Sequence, residues 1–582
     1  MDFSWNLSQI YQSREQLDSD YQRYKELSNK TLEFAGKLNG KDILLAYFKH
    51  CEELSKLSGR IIDYLFLTKS LDGSDAYAIE KMNEFELFSL SQSKLLVPLK
   101  LEILKIDTKK LKEWSKLPEF ADYDDTLEDI IKEKKHKLPL AQEKLMIAAS
   151  ASASQSELFD CLDNVEIKFG HTLDESGKRV KLTMGNYYVL SKSHIRKVRK
   201  MARQKLTNAY GALNQTIACN YISHLQYQDF VAKSYKYKST LDMCMQSADL
   251  PKDLPRKVAQ NVSKYIPIVE HYYAWRKKFM KLDKFEACDL SCNLFDKSAT
   301  REYSLDEACD IIREALEPLG QDYVKMFDTA IKNNWFDTRF LPKKESGAYS
   351  ANIYGVHPFV LMTYDKTQYS ISTMAHEFGH SMHSYFSEKS QPYSKHDYEL
   401  FVAEVASTVN EVLLANYFIK KANTREEKII AISEFLNTFI ATVMTQSMYT
   451  EFELFVHDKI DKQEPLTYAM LNRCFYEVRK KYSGKNVQIS KKSGFGWSMI
   501  PHFYRDFYVF RYSTGFVAAC AIANKLLSDK NYYKQYRKFL SGGSSKKPCE
   551  MLKVAGVDIL NSNTYDEAFE LFENYLKILE EV

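Results

Sequence analysis

The stretch HEFGHSMHSYFS at residues 376–387 carries the strongest chemical signal in this 582-residue chain. Side chains four residues apart share one face of an α-helix, so His376 and His380 could bind a single ion. Glu377 would project beside that ion. Zinc suits such a set, because two neutral nitrogens and a carboxylate leave a fourth position for water. The stretch predicts a helix that carries part of a hydrolytic metal site.

A second apolar segment, FVAEVAST at residues 401–408, holds one acidic residue among small neighbours. A buried carboxylate without a partner is costly, so Glu404 is predicted to be the third metal ligand, and a surface glutamate is the alternative. Glu411 lies seven residues further on the same helix face and could hydrogen-bond a ligand imidazole. His383 is interpreted as a supporting or packing residue, because a fourth protein ligand would displace the water.

Outward from these segments, thirteen prolines and nineteen glycines leave few helix breakers, which predicts a mainly α fold. Apolar residues at helical spacing over residues 54–104 predict a helical hairpin or a pair of packed helices. The polar stretch 166–185 predicts a small β-hairpin. Residues 359–363 predict a strand before a helix that begins near Ser370 or Ser372.

The length exceeds the ~250 to 300 residues that one core supports, so two lobes are expected. The predicted division places an amino-terminal helical lobe at residues 1–195 and a catalytic zinc-binding domain at 196–582.

Lys and Arg number 81 against 77 for Asp and Glu, giving a net charge of only +4. This balance disfavours nucleic-acid binding, which needs a broad basic surface. No basic segment leads into an apolar one near the amino terminus, and no apolar stretch approaches the ~18 to 20 residues of a membrane span. We therefore expect a cytoplasmic protein without a membrane partner, present as a monomer or a weak homo-oligomer.

The sequence resembles the thimet-oligopeptidase group of zinc peptidases, and most closely its oligoendopeptidase F branch. Besides the two segments above, the resemblance lies in GAYS at 347–350 and IPHFYRDFYVFRYSTG at 500–515, with further similarity in SWNLSQIY near the start and in FLSGGSSKKPCEMLKVAGVD at 539–558. It spans nearly the whole chain.

The resemblance implies a two-lobed helical metallopeptidase with a deep central channel and one Zn²⁺ per chain. A small active-site β-sheet would lie next to the zinc-binding helix, where an edge strand could pair with substrate backbone. Such a channel admits short unstructured peptides and excludes folded proteins. The implied function is hydrolysis of internal peptide bonds.

Carried over by position, the resemblance makes His376, His380 and Glu404 the metal ligands and Glu377 the general base that takes a proton from the attacking water. His502 and Tyr508 are predicted to be catalytic through stabilisation of the oxyanion. The predicted substrate-binding residues are Gly347, Ala348, Tyr349, Tyr504 and Tyr512. Relatives often carry a further tyrosine where this chain has Phe510, so which phenol assists stays open.

Two other functions remain open at this stage. A zinc exopeptidase would need a group that grips a free peptide terminus, and we identify none. A catalytically inactive helical scaffold could bind peptides, but the intact Glu377 disfavours it, because structural metal binding needs no adjacent base.

Overall fold

The computed structural model describes residues 3–150, 154–295 and 301–582. Helices account for 69% of the chain and the sheets are small, which confirms the mainly α prediction. Packing divides the chain into two compact units, and each contains three separate stretches of sequence.

Unit 1 comprises Met1–Lys137, Arg301–Leu414 and Leu526–Gly556. Its helices and strands, in chain order, are α1 (Arg14–Lys30), α2 (Lys41–Leu71), α3 (Ala76–Ile103), α4 (Thr108–Trp114), α5 (Asp124–Glu133), then α13 (Leu305–Ala315), α14 (Gln321–Lys332), β3 (Phe336–Asp337), β4 (Tyr349–Ala351), β5 (Phe359–Leu361), α15 (Gln368–Ser390) and α16 (Leu400–Lys421, which ends in unit 2), and finally α21 (Tyr533–Leu540) and α22 (Pro548–Val554).

Unit 2 comprises Leu138–Thr300, Ala415–Lys525 and Val557–Val582. Its helices and strands are α6 (Leu140–Ser150), α7 (Gln155–Cys161), β1 (His171–Leu173), β2 (Arg179–Lys181), α8 (Met184–Ser191), α9 (Arg196–Ser234), α10 (Thr240–Ser247), α11 (Leu254–Ser263) and α12 (Ile266–Phe279), then α17 (Arg425–Phe439), α18 (Thr445–Asp461), α19 (Tyr468–Ser483), α20 (Phe510–Ser528, which ends in unit 1) and α23 (Ser562–Glu581).

The compact units divide the chain differently from the predicted lobes, which met at residue 195. The chain crosses between the units several times, so each unit draws on early, middle and late sequence. Composition along the chain does not reveal such returns, because the segments of both units have the same helical, amphipathic character.

The local predictions agree with the structure. The segment 54–104 lies in α2 and α3, where Leu57, Ile61 and Leu65 are buried in a common core with Phe85. Strands β1 and β2 pair antiparallel, with Thr172 opposite Val180, as the hairpin prediction requires.

A three-stranded sheet in unit 1 has the order β3-β5-β4. Strand β3 runs parallel to β5, and β4 runs antiparallel to it with Tyr349 opposite Leu361. All three residues of β5 are buried, as expected for a central strand. Strand β4 therefore lies at an edge of the sheet, and the predicted strand at 359–363 is its centre.

One helical stretch among the described residues, Arg425–Asp461, is long and apolar enough to cross a membrane by length and composition alone. This finding differs from the expectation that no apolar stretch approaches the length of a membrane span. Within unit 2, however, Phe435 packs on Tyr575 and Phe439 on Phe569, each with ring centroids 4.9 Å apart. These contacts are those of a core helix in unit 2.

Candidate active site

Helix α15 carries the paired histidines of the site. It begins at Gln368, because the hydroxyl of Thr367 accepts a hydrogen bond from the Ser370 amide at 3.2 Å and caps the first turn. One helical turn separates His376 from His380, and their Nε2 atoms lie 3.2 Å apart. The predicted helical spacing therefore brings both nitrogens to one point.

Helix α16 supplies the third donor. Glu404 Oε2 lies 3.5 Å from the Nε2 atoms of both His376 and His380. Ser407, one turn further along, donates its hydroxyl to the same oxygen at 3.1 Å. The Glu404 side chain is 49% exposed, so the premise that this carboxylate is buried was wrong. Its position beside the two imidazoles nevertheless agrees with the predicted ligand set.

A glycine lets the two helices approach closely enough for this arrangement. A Cβ on Gly379 would lie 2.5 Å from Ser407 Cα and 2.8 Å from the Ala406 carbonyl oxygen. Asn410 of α16 also donates its side-chain amide to the Ala375 carbonyl of α15 at 2.8 Å. Sequence reasoning missed Gly379, although a glycine inside a helix signals close backbone approach.

Glu411 orients the first histidine. Its Oε1 lies 2.8 Å from His376 Nδ1, so Nδ1 donates and Nε2 is the nitrogen that faces the vertex, the point it shares with His380 Nε2 and Glu404 Oε2. Burial alone would lower the pKa of His376, but this hydrogen bond and the nearby carboxylates raise that pKa to about 9. The hydrogen bond to His380 is the main reason that the pKa of Glu404 falls to about 2. These surroundings favour positive charge at the vertex.

Glu377 lies beside the vertex and is only 7% exposed. Burial raises the pKa of its carboxyl group, while the adjacent His376 and His380 act in the opposite direction. A carboxyl group with a raised pKa, next to a cation site, is suited to accept and return a proton near neutral pH.

The donor set fits a tetrahedral ion. With metal–nitrogen and metal–oxygen bonds of ~2.0 to 2.1 Å, two ligands of a tetrahedral zinc are separated by ~3.3 to 3.4 Å. The three separations here, between His376, His380 and Glu404, are 3.2, 3.5 and 3.5 Å. One ion could therefore contact all three atoms without a change of backbone.

His383 does not join this vertex. Its ring stacks on Tyr398 with centroids 3.6 Å apart and lies 5.1 Å from Phe539. Burial lowers its pKa to about 3, so the imidazole is neutral. This environment agrees with the interpretation of His383 as a packing residue.

The predicted substrate segment lies at and before β4. Gly347 has φ +96, a left-handed conformation that favours glycine. Tyr349 points into the core of unit 1, where its ring lies 5.2 Å from Phe66, so its side chain is engaged in packing. Ser350 points the opposite way and contacts Ser381 of α15 at 2.8 Å. The edge strand β4 therefore contacts helix α15, which carries His376 and His380.

The remaining predicted residues lie in unit 2. His502 Nε2 lies 3.4 Å from the Tyr512 hydroxyl, and the rings of His502 and Tyr508 are 6.2 Å apart, so these three form one group. Burial and Arg505 lower the pKa of His502. Tyr504 is only 8% exposed, and its hydroxyl accepts a hydrogen bond from Asn220. This packing does not support a substrate contact by Tyr504.

Phe510 is fully buried at the start of α20. An apolar ring suits that position, whereas a phenol would need a hydrogen-bond partner. Among Tyr504, Tyr508 and Tyr512, the structure leaves Tyr508 and Tyr512 partly exposed beside His502.

A second group of metal-ligand types lies in unit 2, but its acid is already satisfied. Asp289, near Glu286 and Cys288, binds Arg199 at 2.7 Å and Arg196 at 2.9 Å. These guanidinium groups occupy the carboxylate oxygens that a cation would need, so the cluster is an ion-pair network.

Comparison with known proteins agrees with this geometry. The model of peptidase family M3 matches residues 189–571, and that of the Oligopeptidase F amino-terminal family matches residues 102–169. This chain belongs to peptidase family M3. The M3 match includes every ligand candidate, and the family is metal-dependent, so this M3 peptidase is a metallo-endopeptidase that acts on oligopeptides.

Relatives extend over the whole chain. Oligopeptidase PepF of Bacillus subtilis is 33% identical over 100% of this chain and 87% of its own length. An Oligoendopeptidase F homolog of Lactococcus lactis is 30% identical over 100% of this chain and 97% of its own. The crystal structure of oligoendopeptidase-F from Enterococcus faecium superposes with a TM-score of 0.73 at 26% identity, covering 97% of this chain and 98% of that one.

Proposed function

We propose that this M3 peptidase holds one Zn²⁺ per chain at His376, His380 and Glu404 and cleaves internal bonds of short peptides. The observation that carries this proposal is the convergence of three donor atoms at 3.2 to 3.5 Å from one another. Two imidazole nitrogens and one carboxylate form a ligand set typical of catalytic zinc, which keeps an open coordination position. A bound zinc ion would act as a Lewis acid and lower the pKa of water to ~7.

Two further side chains prepare these ligands. Glu411 accepts the Nδ1 proton of His376 and so turns the Nε2 lone pair toward the vertex. Ser407 donates to Glu404 Oε2 and restrains the rotamer of a long side chain that is half exposed. Both contacts lower the entropy that the ligands lose when an ion binds.

Glu377 is the proposed general base. Its carboxyl group is close enough to His376, His380 and Glu404 for their charges to act on its pKa, which supports a role beside the attacking water. We propose that it takes the proton of that water during attack on the scissile carbonyl and passes it to the leaving amine. Its burial excludes bulk water, which would otherwise compete as the proton acceptor.

His502, Tyr508 and Tyr512 are the proposed donors to the developing oxyanion. The hydroxyl of Tyr512 lies within 3.4 Å of His502 Nε2, so a phenol and an imidazole could donate to one oxygen. The edge position of β4 supports a further proposal that substrate backbone pairs with residues 347–351. A strand edge binds main chain, which suits peptides of varied sequence.

The experiment combines metal analysis with digestion of peptides blocked at both ends and graded in length. We expect one zinc per chain, cleavage at internal bonds, and loss of both after chelation. Glu377→Gln should keep the zinc and lower kcat by ~10² to 10⁴-fold. Glu388→Gln is the matched control, an isosteric change on the same helix at a carboxylate that accepts hydrogen bonds from Gly355 and Asn352. Full turnover by Glu377→Gln would exclude this residue as the base.

A further inference from the structure

Two buried histidines in unit 2 hold one carboxylate between them. His224 Nε2 on α9 and His457 Nε2 on α18 each lie 3.2 Å from Asp506 Oδ1. Their side chains are 5%, 3% and 6% exposed, respectively, for His224, His457 and Asp506. Burial alone would raise the pKa of Asp506, but the two imidazoles lower it. The carboxylate is therefore charged, and two long helices hold it.

The next residue is fastened as well. The Phe507 amide donates to Glu453 Oε1 of α18 at 2.6 Å, and the Phe507 ring lies 4.5 Å from the ring of His457. Phe507 has φ +53, a left-handed conformation that a bulky residue adopts only when its surroundings impose it. The contacts to α18 provide that constraint.

A third attachment lies two residues before Asp506. The Tyr504 hydroxyl accepts a hydrogen bond from Asn220 of α9 at 3.0 Å. Its ring stacks on Phe159 with centroids 5.0 Å apart and lies 5.2 Å from His224. Three of the four residues 504–507 are thus bound to α7, α9 or α18, and His224 and His457 each contact two of them.

The fastened segment lies between the residues proposed to serve the reaction. His502 precedes it and Tyr508 follows it directly, and both side chains remain partly exposed. The segment 504–507 is attached at Tyr504, Asp506 and Phe507. These attachments limit the movement of the backbone from which the side chains of His502 and Tyr508 extend. None of the fastening groups needs to contact a substrate to have this effect.

We propose that Asp506, held between His224 and His457, is a positioning residue that sets the orientation of His502 for catalysis. This inference rests on the proposed role of His502 in turnover. On this proposal, His224, His457 and Glu453 serve to hold the segment 504–507 in place, although none of them belongs to the metal site. Loss of the charge should displace the segment and lower kcat, while the zinc ligands in unit 1 stay as they are.

The test measures kcat, KM and zinc content for Asp506→Asn, His502→Ala and the double variant. We expect Asp506→Asn to lower kcat by ~10 to 100-fold, since small misplacements of a reacting group have costs of this size. KM should change less than 3-fold and zinc should remain at one per chain. In the His502→Ala background, Asp506→Asn should lower kcat by less than ~3-fold further, because both changes act through one group.

Asp289→Asn is the matched control. Asp289 is also buried and held by two cations, yet it lies in the separate ion-pair network with Arg196 and Arg199. It should lower stability without lowering kcat per folded molecule. If Asp506→Asn fails to fold, His224→Gln replaces it, with the same expected fall in kcat and the same loss of additivity.

The outcomes separate the two proposals. A strong loss for His502→Ala with unchanged kcat for Asp506→Asn overturns the positioning role alone. Additive losses in the double variant also overturn it, because they show that Asp506 does not act through His502. Unchanged kcat for His502→Ala overturns the proposed role of His502, and the positioning role fails with it.

Discussion

Two histidine–carboxylate clusters in this protein use the same side-chain types for different ends. In unit 1, the side chains of His376, His380 and Glu404 are 24%, 19% and 49% exposed. In unit 2, those of His224 and Asp506 are 5% and 6% exposed. The first cluster is therefore accessible to solvent, whereas the second is buried.

The direction of the lone pairs differs as well. In unit 1, three donor atoms from three side chains converge on one point, an arrangement that a cation between them would stabilise. In unit 2, the Nε2 atoms of two imidazoles each lie 3.2 Å from one carboxylate oxygen, and His224 shares a hydrogen bond with it. The difference shows that residue type does not define a metal site. Convergence of several donors on one accessible point does.

The largest expected effect concerns the open cluster, that is, the donor set His376, His380 and Glu404 of unit 1. His380→Ala should abolish zinc binding at stoichiometric metal and lower kcat/KM by more than ~10³-fold, because the metal supplies several kcal/mol of transition-state stabilisation. Metal analysis and peptide hydrolysis measure both. His171→Ala, an exposed histidine of β1, should change neither quantity. A His380→Ala variant that retains one zinc per chain would show that His376, His380 and Glu404 are not the metal site, and the contrast with the cluster of unit 2 would fail.

The cluster of His224, His457 and Asp506 should contribute to folding stability as well as to positioning. Asp506→Asn should lower the free energy of unfolding by ~3 kcal/mol at pH 7, as expected when one partner of a buried charged group is removed. The pKa of Asp506 is lowered in the folded state, so this contribution is present above the unfolded pKa of ~3.9 and is lost only as the pH falls through the folded value.

Urea unfolding of both proteins between pH 8 and pH 4.5 tests this sign. The difference between wild type and Asp506→Asn should persist across that range. The titratable groups close to Asp506 include His224, His457, Glu453, Tyr221 and Cys244. Burial holds the pKa of Glu453 well above its usual value. A difference that disappears already near pH 6 would show that Asp506 is not held as a charged group.

The close contact between α15 and α16 at Gly379 should affect both stability and the position of Glu404. Gly379→Ala would place a methyl group 2.5 Å from Ser407 Cα, so α16 must move and carry Glu404 with it. We expect a loss of ~1 to 3 kcal/mol in stability together with weaker zinc binding. Gly59→Ala in α2 is the control, because nothing lies within 4 Å of its added Cβ and it should stabilise the helix slightly.

The smallest expected effect concerns the hydrogen bond behind His376. Glu411→Gln keeps the shape but weakens the acceptor for Nδ1, so zinc affinity should fall by ~10 to 100-fold. Competition with a chelator of known affinity measures this change. Unaltered affinity would mean that the 2.8 Å contact does not orient the ligand.

Several features of the site could be predicted because they are local. The four-residue spacing places His376 and His380 on one helix face whatever surrounds them. The seven-residue spacing likewise puts Glu404 and Glu411 on one face of α16. The family signature supplied the remaining assignments, including His502 and Tyr508, which stay predictions.

Other features depend on residues far apart in the chain. Asp506 meets His224 and His457 only because α9 and α18 pack beside the segment 504–507. The same holds for the side chain of Tyr504, which the family resemblance suggested as a substrate contact and which packing with Asn220 and Phe159 places inside unit 2.

By itself, the sequence determined the helical class, the paired imidazoles and the chemistry that such nitrogens and carboxylates favour, because helix periodicity and ligand preference are local properties. Only the tertiary structure decided how closely α16 approaches α15 at Gly379. It also decided that the carboxylate of Glu404 is exposed while that of Asp506 is buried, and which distant segments of the chain form each unit. Those outcomes depend on packing between distant segments, where the free energy of burial exceeds local preference.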